Sequence, residues 1–513
     1  MPDVNIKRCA NKNNISWLEK IYPEFNPTLY YHEILDDPEI DAVIIAVPHS
    51  ELFQVTKDAL LSGKHVFVEK PMSSTYQEAS ELVSLKREGQ VLFVGYRFMY
   101  DPIYNILIKI IDKDPAVSID FNWNKFGTFG NDILLNLAPH DIAMSLGFFN
   151  DFPETIVLKN LQDDSCVFKL IFSEGRYSKI SIDRLYPKTT KEVHIVTKSG
   201  RVFHWIDKCL FEVDRESEMS KVLYLTDCYN LEKECSAFIS AVKNNTECVS
   251  NCILAYDTLR VIDQIHKNHL NLVHEYNINL ICKQCGDLPT IDLLSLFPKF
   301  NQTVDPYSFL DGTSSPLDIA LLKAFSQTFT YCKYLEIGTW RGESIANICD
   351  IVDKSVSIDL SEYDLRKHGF VDEKIANMRF FLKNNSNIQF ITHDSQTYDF
   401  SELKSNFDLI FVDGAHDHNS VKNDTENVFK LLKDENSVIV WHDYLSSQGK
   451  VRKPVHAGIL EGCPVEKRKD LYHVSNTLCA VYINPVSEFK IKVEDNLLPT
   501  KSFEVSIKCK KIS

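Results

Sequence analysis

At 513 residues the chain is long enough for two or three hydrophobic cores, and 44% apolar with 25% charged residues is ordinary for globular domains. A formal net charge of −15 disfavours nonspecific binding to nucleic acid. There is no signal peptide and no apolar run long enough to span a bilayer, so a cytoplasmic enzyme with neither a nucleic-acid nor a membrane partner is expected.

In chain order, Asp41-Ala42-Val43-Ile44-Ile45-Ala46-Val47-Pro48-His49 predicts a buried strand ended by proline, followed by a helix through Leu61. His65-Val66-Phe67-Val68-Glu69-Lys70-Pro71 predicts a second strand and Val91-Leu92-Phe93-Val94-Gly95-Tyr96-Arg97-Phe98 a third. Strands alternating with helical patterns indicate a parallel α/β sheet. From about Ala116 to Glu212 the pattern is β-rich, interrupted by Leu137-Ala138-Pro139-His140-Asp141-Ile142. Helical spacing returns over Glu232 to Ala241 and Leu254 to Lys267. Turn signals at Leu288-Pro289, Phe297-Pro298, Asp305-Pro306 and Asp311 to Pro316 mark a join, and Leu317 to Thr328 predicts the helix that leads into the next sheet.

That second sheet opens on Tyr334-Leu335-Glu336-Ile337-Gly338-Thr339-Trp340-Arg341-Gly342-Glu343-Ser344. An apolar strand ends at Gly338 and Gly342 opens a helix, an arrangement that lets the backbone approach a ligand and aim free N–H groups at its carboxylate. Ser355-Val356-Ser357-Ile358-Asp359 predicts the next strand, its terminal acid placed to accept both hydroxyls of a ribose. Ile388 to Asp394 gives a third, whose acid would rim an adenine pocket; Phe407 to His416 and Ser437 to Tyr444 complete the series. Most of these strands carry an acid or histidine at the carboxyl end, where open α/β sheets bind ligands.

From about Tyr331 to Asn484 the chain resembles the class I S-adenosylmethionine-dependent methyltransferases. The likeness is greatest to the branch with an E-I-G-x-x-x-G-x-S turn, an F-V-D-G-x-H strand and a terminal H-D-Y, which is associated with O-methylation of sugars and related natural products. The resemblance implies that Glu336, Gly338, Gly342, Ser344, Asp359, Asp394 and Asp413 bind S-adenosyl-L-methionine, and that Asp413, His416, His442 and Asp443 face the acceptor. Some relatives bind magnesium through acids at the ends of these two strands, positions matched by Asp413 and Asp443; capping of helices or backbone amides is the other role open to them. Either His416 or His442 could take the acceptor hydroxyl's proton, because an unperturbed imidazole titrates near neutral pH.

The first half resembles the glucose-fructose oxidoreductase and inositol dehydrogenase (Gfo/Idh/MocA) family, through the E-K-P turn Glu69-Lys70-Pro71 and the histidine element around His140, as far as about Leu270. The resemblance implies that Lys70 and His140 flank a nicotinamide and the sugar carbon that exchanges a hydride, and that the chain forms a homodimer through sheet faces. It also implies an opening strand with a Gly-x-Gly-x-x-Gly turn, yet no glycine precedes Gly63 and Met1 to Arg8 already reads as the second strand. Ala10 and Asn11 stand in place of the expected acid, and Asn136 where relatives often carry one. These departures argue against NAD(P) binding.

The combined expectation is α/β throughout: an incomplete Rossmann-like domain (1–115), an open-sheet α+β domain (116–270), a linker (271–315), a class I methyltransferase Rossmann-like domain (316–490) and a C-terminal extension (491–513). The expected reaction is methyl transfer to a sugar hydroxyl, on a nucleotide sugar or glycan, since both resemblances point to carbohydrate chemistry. A bifunctional oxidoreductase/methyltransferase and a non-catalytic carbohydrate-binding scaffold are the alternatives. Of the 14 cysteines, Cys282-Lys283-Gln284-Cys285 is the single Cys-x-x-Cys; a zinc site would need further ligands such as Cys248 and Cys252, and scattered free thiols are the simpler account. Lys501, Lys508, Lys510 and Lys511 read as a solvated end.

Overall fold

The computed structural model describes residues 4–13, 15–127, 132–214, 220–227, 230–310, 312–382, 386–494 and 500–511. The chain divides into two compact units, Met1–Leu272 and Val273–Ser513. Met1 to Asp3 and Asp311, which entered the readings above, lie outside the described residues.

In the first unit, β1 (Ala42–Ile45), β2 (His65–Glu69) and β3 (Leu92–Gly95) form a parallel sheet in that order. The apolar runs fit strands packed on both faces: Val66, Phe67 and Val68 are all buried. At the β1 edge, by contrast, Ile44 is 62% exposed. The strand expected before Arg8 is displaced: Cys9–Ala10 pairs in parallel with Pro27–Thr28 as a separate two-stranded sheet. An eight-stranded sheet follows, from Ala116–Asn124 to Ser220–Leu225, and so extends past Glu212. Its period-two alternation is clear where Ile119, Phe121 and Trp123 are buried between half-exposed Asp120 and Asn122. Helix α1 (Ala138–Phe149) packs on this sheet.

The helix expected over Leu254 to Lys267 is longer in the structure, forming α2 (Cys252–Cys285). In the second unit β4 (Thr290–Ile291), within the stretch expected as a linker, pairs with a strand of the main sheet. After α3 (Pro316–Ser326) come β5 (Lys333–Ile337), β6 (Lys354–Asp359), β7 (Ile388–Thr392) and β8 (Leu409–Val412). Helix α4 (His418–Val428), β9 (Val438–Trp441), β10 (Leu471–Val474) and β11 (Ala480–Ile483) complete the unit. The sheet order is β4-β10-β11-β9-β8-β5-β6-β7, with β11 antiparallel to both neighbours. Alternate residues feed two cores: Leu335, Val356 and Ile410 on one face, Tyr334, Leu409 and Phe411 on the other. From β5 the chain adds β6 and β7 on one side, then crosses to add β8 and β9 on the other. The carboxyl ends of β5 and β8 therefore flank a topological switch point, the place where open sheets of this kind bind ligands.

One sequence reading is corrected here. The Lys501 side chain is 6% exposed and bridges Asp292 at 3.0 Å and Glu494 at 2.7 Å, so that part of the carboxyl-terminal segment is tied down rather than solvated. Cys282 and Cys285 lie on one helix, and among the described residues the only group compact enough to hold a metal ion contains no cysteine. No described helix is long and apolar enough to cross a membrane.

Candidate functional site

The turn after β5 is held by left-handed backbone at Gly338 (φ 82°), Trp340 (φ 47°) and Gly342 (φ 87°). A β-carbon on Gly338 would lie 2.2 Å from the Asp413 carbonyl oxygen, and one on Gly342 would lie 2.5 Å from Leu382. Both glycines are thus required by close packing of protein on protein. Glu336 is fully buried beneath the turn, where Tyr334 Oη donates to its Oε2 at 2.5 Å and Ser344 Oγ to its Oε1 at 2.9 Å. Burial pushes its carboxyl up to about 8 against the pull of these two hydrogen bonds, so Glu336 and Ser344 brace the turn from below.

A pH effect follows. The folded value lies above that of an unfolded glutamic acid, about 4.3, so this group's contribution to stability is complete below the unfolded value and is lost as pH rises through about 8. Thermal melts of Glu336→Gln should therefore gain on the parent between pH 5 and 8; parallel profiles would contradict the assignment.

At the end of β6, Asp359 Oδ1 accepts from the Leu360 N–H at 2.9 Å, whereas the buried Oδ2 has no partner. Burial raises this carboxyl, opposed by the charge of Arg379 and by nearby backbone N–H groups. Beside it opens a cavity of about 450 Å³ whose lining includes Leu360, Ile375, Met378, Arg379 and Thr392, at the carboxyl ends of β6 and β7. Trp340 Nε1 and Arg379 Nε are likewise buried and unpartnered. Asp359 adjoins the lining residue Leu360, and the cavity lies within the size range of small-molecule sites. Asp394, after β7, accepts from the Gln396 N–H at 2.9 Å and shapes the loop on that rim.

Across the switch point stands a charged cluster. His442 is 7% exposed, with Nε2 3.2 Å from Asp318 Oδ2 and Nδ1 3.1 Å from Asp413 Oδ1 and 3.5 Å from Asp443 Oδ2. Its Nδ1 nevertheless makes no aligned hydrogen bond. Burial opposes a charged ring, but Asp413, Asp318 and Asp443 outweigh it and raise His442 well above the ordinary imidazole value. Burial likewise opposes ionisation of Asp413, yet His442 and His416 hold its carboxyl below the usual range. His416, more exposed, places Nε2 3.1 Å from Asp443 Oδ2 and 3.6 Å from Asp413 Oδ1. Asp443 has φ 61°, a strained conformation for a non-glycine residue, and its Oδ1 lies 3.1 Å from Arg452.

Sequence reasoning brought Asp413, His416, His442 and Asp443 together; it missed Asp318, Ser314 and Arg452. Asp318 was legible only as the fourth residue of the capping box that begins at Ser315. Ser314, whose Oγ donates to Asp413 Oδ2 at 3.0 Å, was part of a turn cluster, and Arg452 belongs to the basic run Lys450-Val451-Arg452-Lys453.

In the first unit, Lys70 Nζ donates to the Asn136 carbonyl, and burial brings its pKa down to about 8. His140 lies in the first turn of α1, edge-on to Phe98 with centroids 5.1 Å apart, its Nδ1 buried without a partner. Burial, then the charges of Lys70, Lys191 and Arg97, hold it well below the ordinary imidazole value. The structure therefore gathers the two sequence-predicted residues into one buried, basic neighbourhood.

Comparison with known proteins bears on both units. Residues 4–96 match the oxidoreductase family with an NAD-binding Rossmann fold, and residues 335–444 match a methyltransferase domain. The chain is 31% identical over 146 residues to the uncharacterized oxidoreductase YrbE of Bacillus subtilis (25% of this chain, 41% of the relative). It is 42% identical over 84 residues to scyllo-inositol 2-dehydrogenase (NAD(+)) of the same organism (16% and 24%). It thus spans less than half the length of these curated relatives. Among solved structures, UDP-N-acetylglucosamine 3-dehydrogenase GnnA from Acidithiobacillus ferrooxidans matches with TM-score 0.47 and 18% identity, covering 50% of this chain and 88% of the other. A dehydrogenase from Chromobacterium violaceum matches with TM-score 0.48 and 18% identity, covering 54% and 92%. Residues 4–96 are thus similar to the Gfo/Idh/MocA oxidoreductase family and residues 335–444 to a methyltransferase domain.

Proposed function

We propose that the second unit is an S-adenosylmethionine-dependent O-methyltransferase acting on a sugar hydroxyl, of a nucleotide sugar or glycan. The observation that carries this reading is the pairing at one switch point of an unpartnered acid beside a nucleoside-sized cavity, at Asp359, with a histidine–carboxylate cluster at the ends of β8 and β9. When bound, S-adenosylmethionine supplies an electrophilic methyl carbon, and the protein's task is to align an oxygen behind it and receive that oxygen's proton. His442 is buried among Asp318, Asp413 and Asp443, which leaves the more exposed His416 as the base. Asp443 Oδ2, 3.1 Å from His416 Nε2, holds that side of the ring, so Nδ1 takes the proton as the hydroxyl oxygen bonds to the methyl carbon and the carbon–sulfur bond breaks. A divalent cation, magnesium or a softer ion, fits beside Asp413 and Asp443 and would acidify the hydroxyl.

Sugar is favoured over a phenolic acceptor by the retained Lys70 and His140 neighbourhood, which resembles a sugar-facing site in the first unit. Mass spectrometry of candidate nucleotide sugars after incubation with the donor should show a gain of one methyl; unmodified sugars together with a methylated phenol would contradict the acceptor class. His416→Asn should lower the turnover rate by about 10²- to 10⁴-fold while donor affinity stays near that of the parent. An unchanged rate would remove His416 from its role. Calorimetry with NAD tests the first unit: binding to it favours a bifunctional enzyme, and no binding favours an oxidoreductase-like unit without turnover.

A further inference from the structure

Residues 305–310 and 312–314 lie along the short helix Glu343–Ala346 that follows the glycine turn, and side chains of the turn and helix fix them in place. Asn347 accepts from the Asp305 N–H at 2.8 Å and donates to the Pro306 carbonyl at 3.0 Å. Buried Arg341 donates to the Leu310 carbonyl at 3.1 Å, and buried Glu343 accepts from Ser308 Oγ and, at 3.2 Å, from Thr313 Oγ1. In this anchored segment two apolar side chains nevertheless stay in water: Phe309 is 65% exposed and Leu310 60%. Phe309 also has φ 56°, a left-handed backbone that is costly for a bulky side chain. Its exposure is therefore not the fraying of a loose loop.

Contacts through Tyr307 and Ser314 tie this ring to the acceptor cluster. Tyr307 meets Phe309 edge-on, with centroids 4.6 Å apart and planes at 88°. Tyr307 Oη donates to the Ser314 carbonyl at 3.1 Å, and Ser314 Oγ donates to Asp413 Oδ2 at 3.0 Å. Burial, then Glu343 and Asp318, raises the pKa of the Tyr307 hydroxyl while Arg341 and His442 oppose the rise, so Asp318 and His442 both lie within electrostatic reach of it. A strained residue that keeps a flat apolar ring in water at the edge of a polar site fits a ring held ready for a ligand. A pyranose matches it, since one face of C–H bonds packs flat on an aromatic ring while the hydroxyl edge stays free.

We propose that Phe309 is the stacking platform for the sugar ring of the acceptor, braced edge-on by Tyr307 and presenting the sugar's hydroxyl edge to His416. This rests on the acceptor site assigned above. Because Arg341, Glu343 and Asn347 hold the segment, the platform is built on the same turn that faces the donor.

The test uses the full chain with UDP-glucose, GDP-mannose and dTDP-glucose as probes, and UDP, GDP and dTDP as controls without the sugar ring. Calorimetry with S-adenosylhomocysteine present should show at least one sugar-bearing probe binding more tightly than its control. Phe309→Ala should weaken that probe by about 10-fold while the control and S-adenosylhomocysteine stay near their parent affinities. Phe309→Trp should restore the affinity; Phe309→Leu, apolar but not flat, should not. In turnover the loss should fall on KM, the mark of an interaction made equally with substrate and transition state. Phe309→Gly should melt later than the parent because it relieves the left-handed strain, the reverse of what a structural role would give. Sugar binding that Phe309→Ala leaves unchanged, or that Phe309→Leu retains in full, would overturn the platform, as would a parent that binds no sugar-bearing probe better than its control. Sugar binding through Phe309 without methyl transfer would keep the platform and contradict only the reaction assigned above.

Discussion

Asp359→Ala is expected to weaken S-adenosylmethionine binding by about 100-fold, the equivalent of two charge-assisted hydrogen bonds worth about 1.5 kcal/mol each. The same substitution should raise the melting temperature of the ligand-free protein, because burial of this carboxyl outweighs what Arg379 and the nearby backbone N–H groups return. Weaker binding with higher stability is the signature of an acceptor kept for a ligand. A loss of both would mark Asp359 as a structural residue, and calorimetry with melting curves distinguishes the two. Asn in place of Ala should fall between, since its carboxamide oxygen still accepts one hydroxyl.

Gly338→Ala is expected to destabilise the second unit by about 3 kcal/mol, combining a left-handed non-glycine residue with overpacking against backbone. The clash is with the Asp413 carbonyl, which no side-chain rotation relieves. Gly449→Ala is the matched control: its φ of 73° is similarly left-handed but no atom lies within 4 Å of an added β-carbon, so only the conformational cost of about 1 kcal/mol remains. A denaturant titration in which the two variants match would place the cost in φ alone. Because Gly338 touches the end of β8, its replacement should also displace Asp413 and reduce any metal or acceptor binding there.

The parallel strands were legible because they are buried on both faces, so that Tyr334-Leu335-Glu336-Ile337 and Leu409-Ile410-Phe411-Val412 appear as nearly unbroken apolar runs. Acids at their ends were legible for the same reason: an acid just after such a run falls on the sheet's rim. The sequence could not show which way those acids face. Asp359 keeps a free oxygen, whereas Glu336 spends its oxygens inside the protein on Tyr334 and Ser344. Pairings across long stretches of chain were also hidden: Asp318 reaches His442 across 124 positions, and Lys501 meets Asp292 through folding back of the carboxyl-terminal segment. Strand placement failed where the strand is very short, as at Cys9–Ala10, since two residues carry no periodic signal.

The most direct test is the structure of the full chain with S-adenosylhomocysteine bound. It should show both ribose hydroxyls donating to Asp359, the adenine within the cavity bordered by Met378 and Thr392, and the sulfur turned toward Asp413 and His416. A nucleoside bound elsewhere, or a ribose out of reach of Asp359, would contradict the account.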